Sequence, residues 1–194
     1  MPRRTVRILR TSILVAAALG WLGHQGLGLA FVDGPPLGVT GAFGEASCHQ
    51  CHFDGDLNAH GGNVEIKGVP DTFEAGKRYL MAVTLSHEGL KAGGFQLAAR
   101  FADGDHKGGS AGELRASDTR TRVAVSERRD ALYVQHTKEG TAPTTAGAAT
   151  WELEWIAPES GDKVAFHAAS VAADGDVSPF GDFVYLRELI TSRR

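Results

Sequence analysis

From Asn63 to the end of the chain, apolar and polar residues alternate in short runs, and glycine, asparagine and aspartate separate the runs. A period of two puts successive side chains on opposite faces of an extended strand, which an amphipathic helix cannot accommodate. In GFQLAARFA, Phe95, Leu97, Ala99 and Phe101 face one way, and Gln96, Ala98 and Arg100 the other. In WELEWIAP, Trp151, Leu153 and Trp155 share a face opposite Glu152 and Glu154. Weaker runs cover 64–69, 78–87, 121–126, 131–137, 163–170 and 183–190. Seven or eight such strands with turn signals between them predict an all-β chain folded as an antiparallel β-sandwich. Glycine agrees: 25 of 194 residues is well above the average of about 7%, and no G-x-y period is present.

The first 62 residues follow other rules. Arg3, Arg4, Arg7 and Arg10 precede the apolar stretch 12–23, which is short for a bilayer span, and Gly28 and Ala30 offer small residues at a cleavage point. Residues 1–30 are therefore expected to be an export signal. Removing them takes away four arginines and no acid, leaving 16 basic against 23 acidic residues and a charge of −7. A mature chain of that charge is no generic nucleic-acid binder. With no second apolar run of spanning length and the closing LRELITSRR, it is expected to be periplasmic or extracellular without a membrane anchor. Residues 31–62 lack periodicity and contain helix-breaking prolines and glycines; they read as an extended leader forming one domain with a sandwich over 63–194.

The leader carries the chemistry. Cys48, His49, Gln50, Cys51 and His52 spell C-x-x-C-H, the attachment signature of c-type haem. Two thiols at this spacing add across the two vinyl groups of one porphyrin edge, and the next histidine supplies the proximal imidazole to iron. Both cysteines of the chain are consumed by the motif. Two other uses compete: a tetrahedral zinc site of Cys48, Cys51, His52 and His60, and a bare thiol–disulfide pair. Zinc suits an oxidising compartment less well, because free thiols there are prone to disulfide formation. A thioredoxin-type pair calls for a helix after Cys51, and none is predicted. The Asp-Gly-Asp triplets at 54–56, 103–105 and 174–176 read as turns rather than cation sites.

The runs GPPLGVTGAFGEASCHQCHF, GGNVEIKGVP, SHEGLKAGGFQLAARFADG and YVQHT, the Trp151–Pro158 segment and the closing GDFVY resemble, in order, the bacterial reeler-like or choice-of-anchor V domain. The resemblance covers about 34–190. It implies an immunoglobulin-like β-sandwich in an exported or surface protein, and many bacterial members carry C-x-x-C-H.

A helical cytochrome would pair its histidine with a downstream methionine, but Met81 sits inside an apolar strand run and reads as core. Histidine is then the expected second axial ligand. His136 ends LYVQH on the face of Leu132 and Val134, and the resemblance places a recurring histidine in YVQHT. His87, ending YLMAVTLSH, is the second choice. His106 reads as a loop residue and His167 as outward-facing. The expectation is thus an exported monohaem c-type cytochrome for electron transfer. Cys48 and Cys51 would hold one haem c, with His52 and His136 on its iron. Its redox partner would be a basic-surfaced protein, and nucleic acid has no role. The rivals are a surface adhesion or matrix-binding module and a haem sensor or peroxidase-like protein with an open coordination site.

Overall fold

The computed structural model of the chain describes residues 31–126 and 131–194. The expected export signal over 1–30 lies outside them. Ten strands run among the described residues: β1 (Gly62–Lys67), β2 (Thr72–Phe73), β3 (Arg78–His87), β4 (Ala92–Phe101), β5 (Glu113–Ala116), β6 (Thr121–Ser126), β7 (Ala131–His136), β8 (Ala148–Ile156), β9 (Lys163–Ala173) and β10 (Phe183–Arg193). They form two sheets, β1-β3-β8-β5 and β2-β10-β9-β4-β7-β6. Pairing is antiparallel throughout except that β2 runs parallel to β10 through Thr72 and Phe73. The fold is an antiparallel β-sandwich, as the alternation predicts. β2 and β5 were not among the expected runs: at two and four residues they are too short to display a period.

The two inner faces meet in one aromatic-rich core. Trp151 and Trp155 of β8 are fully buried against β4, β9 and Phe73. Phe95 stacks on Trp151 with ring centroids 4.5 Å apart, and Phe166 meets Trp155 edge-on at 4.8 Å. Each indole N–H donates to a backbone carbonyl at 2.8 Å, Trp151 to Gly140 and Trp155 to Ala111. Buried tryptophans are thereby satisfied as well as packed. Met81, 3% exposed, belongs to the same core.

The outer face of the six-stranded sheet is also covered, by the leader. This is why β4 and β9 are buried on both faces, whereas β1 and β8 alternate more openly. The fully buried Gln96 of β4 accepts the N–H groups of Gly38 (3.0 Å) and Val39 (2.9 Å) at Oε1 and donates from Nε2 to the Pro36 carbonyl (3.1 Å). Glu45 of the leader pairs with Arg100 of β4, both side chains almost wholly buried. The Tyr133 hydroxyl donates to Glu45 Oε1, and Thr40 Oγ1 donates to Glu45 Oε2 at 2.6 Å. Phe43 lies over the Arg100 guanidinium and edge-on to His167. Gly41 (φ +78°) turns the leader where a Cβ would come to 3.0 Å from Leu186, and Cys48 beyond it packs onto β9 and β10.

Candidate functional site

A single turn of 3-10 helix, Cys48–Gln50, carries the C-x-x-C-H residues. Ser47 caps it, its Oγ accepting the His49 N–H at 3.3 Å. The N–H groups of Cys51 and His52 both donate to the Cys48 carbonyl, at 3.2 and 3.0 Å. This winding turns the two cysteines to different surroundings. Cys51 is exposed. Cys48 packs against Ala169, Val171 and Val184 and directs its S–H to the Val39 carbonyl at 3.9 Å. Burial pushes the Cys48 thiol up to about 12, the nearby Cys51 adding to the rise. In the folded chain it is a thiol, not a thiolate.

Three consecutive residues after the cysteines are tied to the loop between β9 and β10. His52 Nδ1 lies 2.7 Å from Asp182 Oδ2, with the imidazole 26% exposed and the carboxylate 2%. Phe53 meets Phe180 edge-on at 5.8 Å, and Asp54 Oδ2 accepts the Gly181 N–H at 3.2 Å. Gly181, at φ +83°, makes the bend that presents both groups. Asp182 is held from its other side, because its Oδ1 accepts the Asp174 N–H at 3.3 Å. Nδ1 of His52 is thus committed to a carboxylate, and Nε2 is the nitrogen left to bind metal, an arrangement characteristic of metal-ligating histidines. His49 is used differently, its Nε2 lying 2.8 Å from the Gly55 carbonyl.

His136, expected as the second axial ligand, is not brought to this site. It ends β7, which β4 separates from β9 in the sheet. Its Nδ1 accepts the Phe95 N–H at 3.0 Å, and its Nε2 donates to the Phe31 carbonyl at 3.1 Å. The ring fills the space left by Gly94, where a Cβ would approach it to 2.9 Å. Both nitrogens are spent on backbone groups. Desolvation holds this imidazole below its ordinary range, against the opposing pull of the Phe95 and Phe31 contacts. An apolar strand end suits a core histidine as well as a ligand, and alternation alone does not distinguish them.

The other described histidines also lie elsewhere. His87 stacks on Phe183 at 4.5 Å and borders an open groove of about 660 Å³ with Gly61, Gly62, Ser86 and Gly147. His106 lies near Phe101, and His167 faces outward beside Glu188 under Phe43. His60 is exposed. Among the described residues no three His, Cys, Asp or Glu side chains converge to hold a metal ion, so Cys48, Cys51, His52 and His60 are not gathered as a zinc tetrahedron. No described helix is long and apolar enough to cross a membrane.

The C-x-x-C-H residues fit a covalent haem in donor type and spacing, with Cys51 and the His52 Nε2 presented and an orienting carboxylate in place. Cys48 is the exception in orientation, since its thiol points into the sheet. Sequence reasoning does not single out Asp182, which stands only within the closing GDFVY of the resemblance. A lone acid between the third Asp-Gly-Asp triplet and an apolar strand was the available signal.

No protein-family model matches the chain, and no curated protein matches it. Among solved structures it is similar to the human F-spondin reeler domain, at 20% identity and TM-score 0.45 over 73% of this chain and 96% of that one. It is also similar to the reelin-N domain of F-spondin, at 19% and 0.47 over 75% and 96%. A cohesin module of a family 33 glycoside hydrolase from Clostridium perfringens follows at 12% and 0.44 over 69% and 96%. The fold class rests on the two sheets themselves.

Proposed function

We propose that the protein is an exported monohaem c-type protein that carries electrons, with the haem anchored to Cys48 and Cys51 and His52 as the protein ligand to iron. The observation that carries this reading is the engagement of His52 Nδ1 by the buried Asp182, which leaves Nε2 uncommitted on the residue that follows the exposed Cys51. When bound, the haem supplies a one-electron iron couple. The chain's own residues do the rest. The 3-10 turn sets the thiol spacing, Asp182 fixes the imidazole, and Phe53 and Phe180, both more than half exposed, offer apolar surface beside it. Because the folded chain shields Cys48, attachment belongs to the chain before the turn docks on β9 and β10. The excess of acid in the mature chain favours a basic partner.

A second reading, a haem-free adhesion or matrix-binding module, is favoured by one specific observation: Cys48 is packed like a core residue. The two part on a single gel. Expressed with a haem c maturation system, the chain should keep peroxidase-active haem after denaturation and acid–acetone extraction, and the Cys48→Ser, Cys51→Ser double variant should keep none. A colourless band from the unmutated chain selects the module.

A further inference from the structure

Asp182 stands 130 residues from His52 in sequence and is the buried partner of its imidazole, an arrangement the attachment motif does not require. The carboxylate is anchored from two directions, by His52 Nδ1 and by the Asp174 N–H. The contact is reinforced on either side by the Phe53–Phe180 pair and the Asp54–Gly181 hydrogen bond, so the segment 52–54 and the loop 180–182 are joined at three successive residues. At 2% exposure the carboxylate has little water to compete for it, and a charge-assisted bond of 2.7 Å in such surroundings polarises the ring strongly. A carboxylate on the distal nitrogen makes the ligating nitrogen more basic, which favours the more highly charged state of a metal.

Resting on the proposed haem attachment at His52, we infer that Asp182 is a positioning residue for the iron ligand. It fixes His52 in the Nδ1–H tautomer with Nε2 toward iron, and it holds the haem on the oxidised side, making the protein a low-potential carrier. The loop between β9 and β10 is thereby part of the redox centre, and its composition sets the potential. Mutating outer-shell partners of this kind typically costs about 10- to 100-fold in metal affinity or activity.

The test uses Asp182→Asn, which keeps the shape and loses the charge, in the haem-loaded chain. With the solution poised at the midpoint of the unmutated protein, the ferrous-to-ferric ratio should rise about tenfold, equivalent to about 59 mV for one electron. A change of less than twofold overturns the inference while leaving the haem reading intact. The haem-free chain gives an independent readout. At about pH 9, above the ordinary imidazole range, nitrogen NMR of the unmutated protein should show His52 protonated on Nδ1 and bare on Nε2. The opposite tautomer overturns the inference even where Asp182→Asn fails to fold. A chain that takes up no haem in the gel experiment removes the redox role and the proposed function together, and the NMR result then reports whether the Asp182 contact exists on its own.

Discussion

His52 and His136 occupy two regions built from similar materials and put to opposite ends. Each imidazole lies against the six-stranded sheet and each has a hydrogen-bonded Nδ1. At the end of β7, however, Nδ1 and Nε2 both go to backbone groups, and the ring is buried. Beside β10, Nδ1 goes to a carboxylate, Nε2 is left over, and a quarter of the side chain remains exposed. What separates a structural histidine from a candidate ligand is therefore how its second nitrogen is spent. Burial and strand-face placement, which favoured His136 in the sequence, are features of well-satisfied core groups.

The sharpest way to break this comparison is to release the leader, since the His52 region exists only while that segment is docked. Glu45→Ala leaves the Arg100 guanidinium buried without its partner, and loss of one member of a buried pair typically costs about 3–5 kcal/mol. Urea unfolding should show that loss. Iodoacetamide should then label Cys48 in the variant under native conditions, whereas in the unmutated, haem-free chain it labels Cys51 alone. Equal labelling of both cysteines in the unmutated chain would mean that Cys48 is not held against β9 and β10.

A smaller effect is expected on the His136 side. His136→Ala opens a cavity and orphans the Phe95 N–H, for a loss of about 2–4 kcal/mol. Acid should reproduce part of it. Desolvation lowers the affinity of folded His136 and His167 for protons, so the unfolded chain binds them more readily. Their contribution is then complete above the ordinary imidazole range near pH 6.5 and declines as the pH falls below it toward their folded values. The urea midpoint should drop between about pH 7.5 and 5.5, and His136→Gln should flatten that drop. A midpoint that rises on acidification contradicts the assignment of His136 as a neutral core residue.

Much of the fold was legible because alternation is local. Phe95–Phe101 and Trp151–Trp155 display their faces within a few residues, and the core packs on those faces as expected. The C-x-x-C-H motif was legible for the same reason. What was not legible depends on contacts between distant segments. Gln96 and Arg100 read as the solvent side of β4, yet the leader makes that side a second buried face. Asp182 does not stand out in the sequence because its meaning comes from His52, 130 residues away. The choice of His136 turns on the same kind of contact: no single strand reveals that Phe31 and Phe95 lie against its two ring nitrogens.

The most direct measurement is the absorption spectrum of the haem-loaded protein against His52→Ala and His136→Gln. If His52 binds iron and His136 is a core residue, His52→Ala alters the Soret band and spin state in both oxidation states. His136→Gln, with an amide able to serve both backbone groups, leaves the spectrum unchanged and only lowers stability. A spectrum that shifts with His136→Gln and not with His52→Ala would contradict the account at its centre.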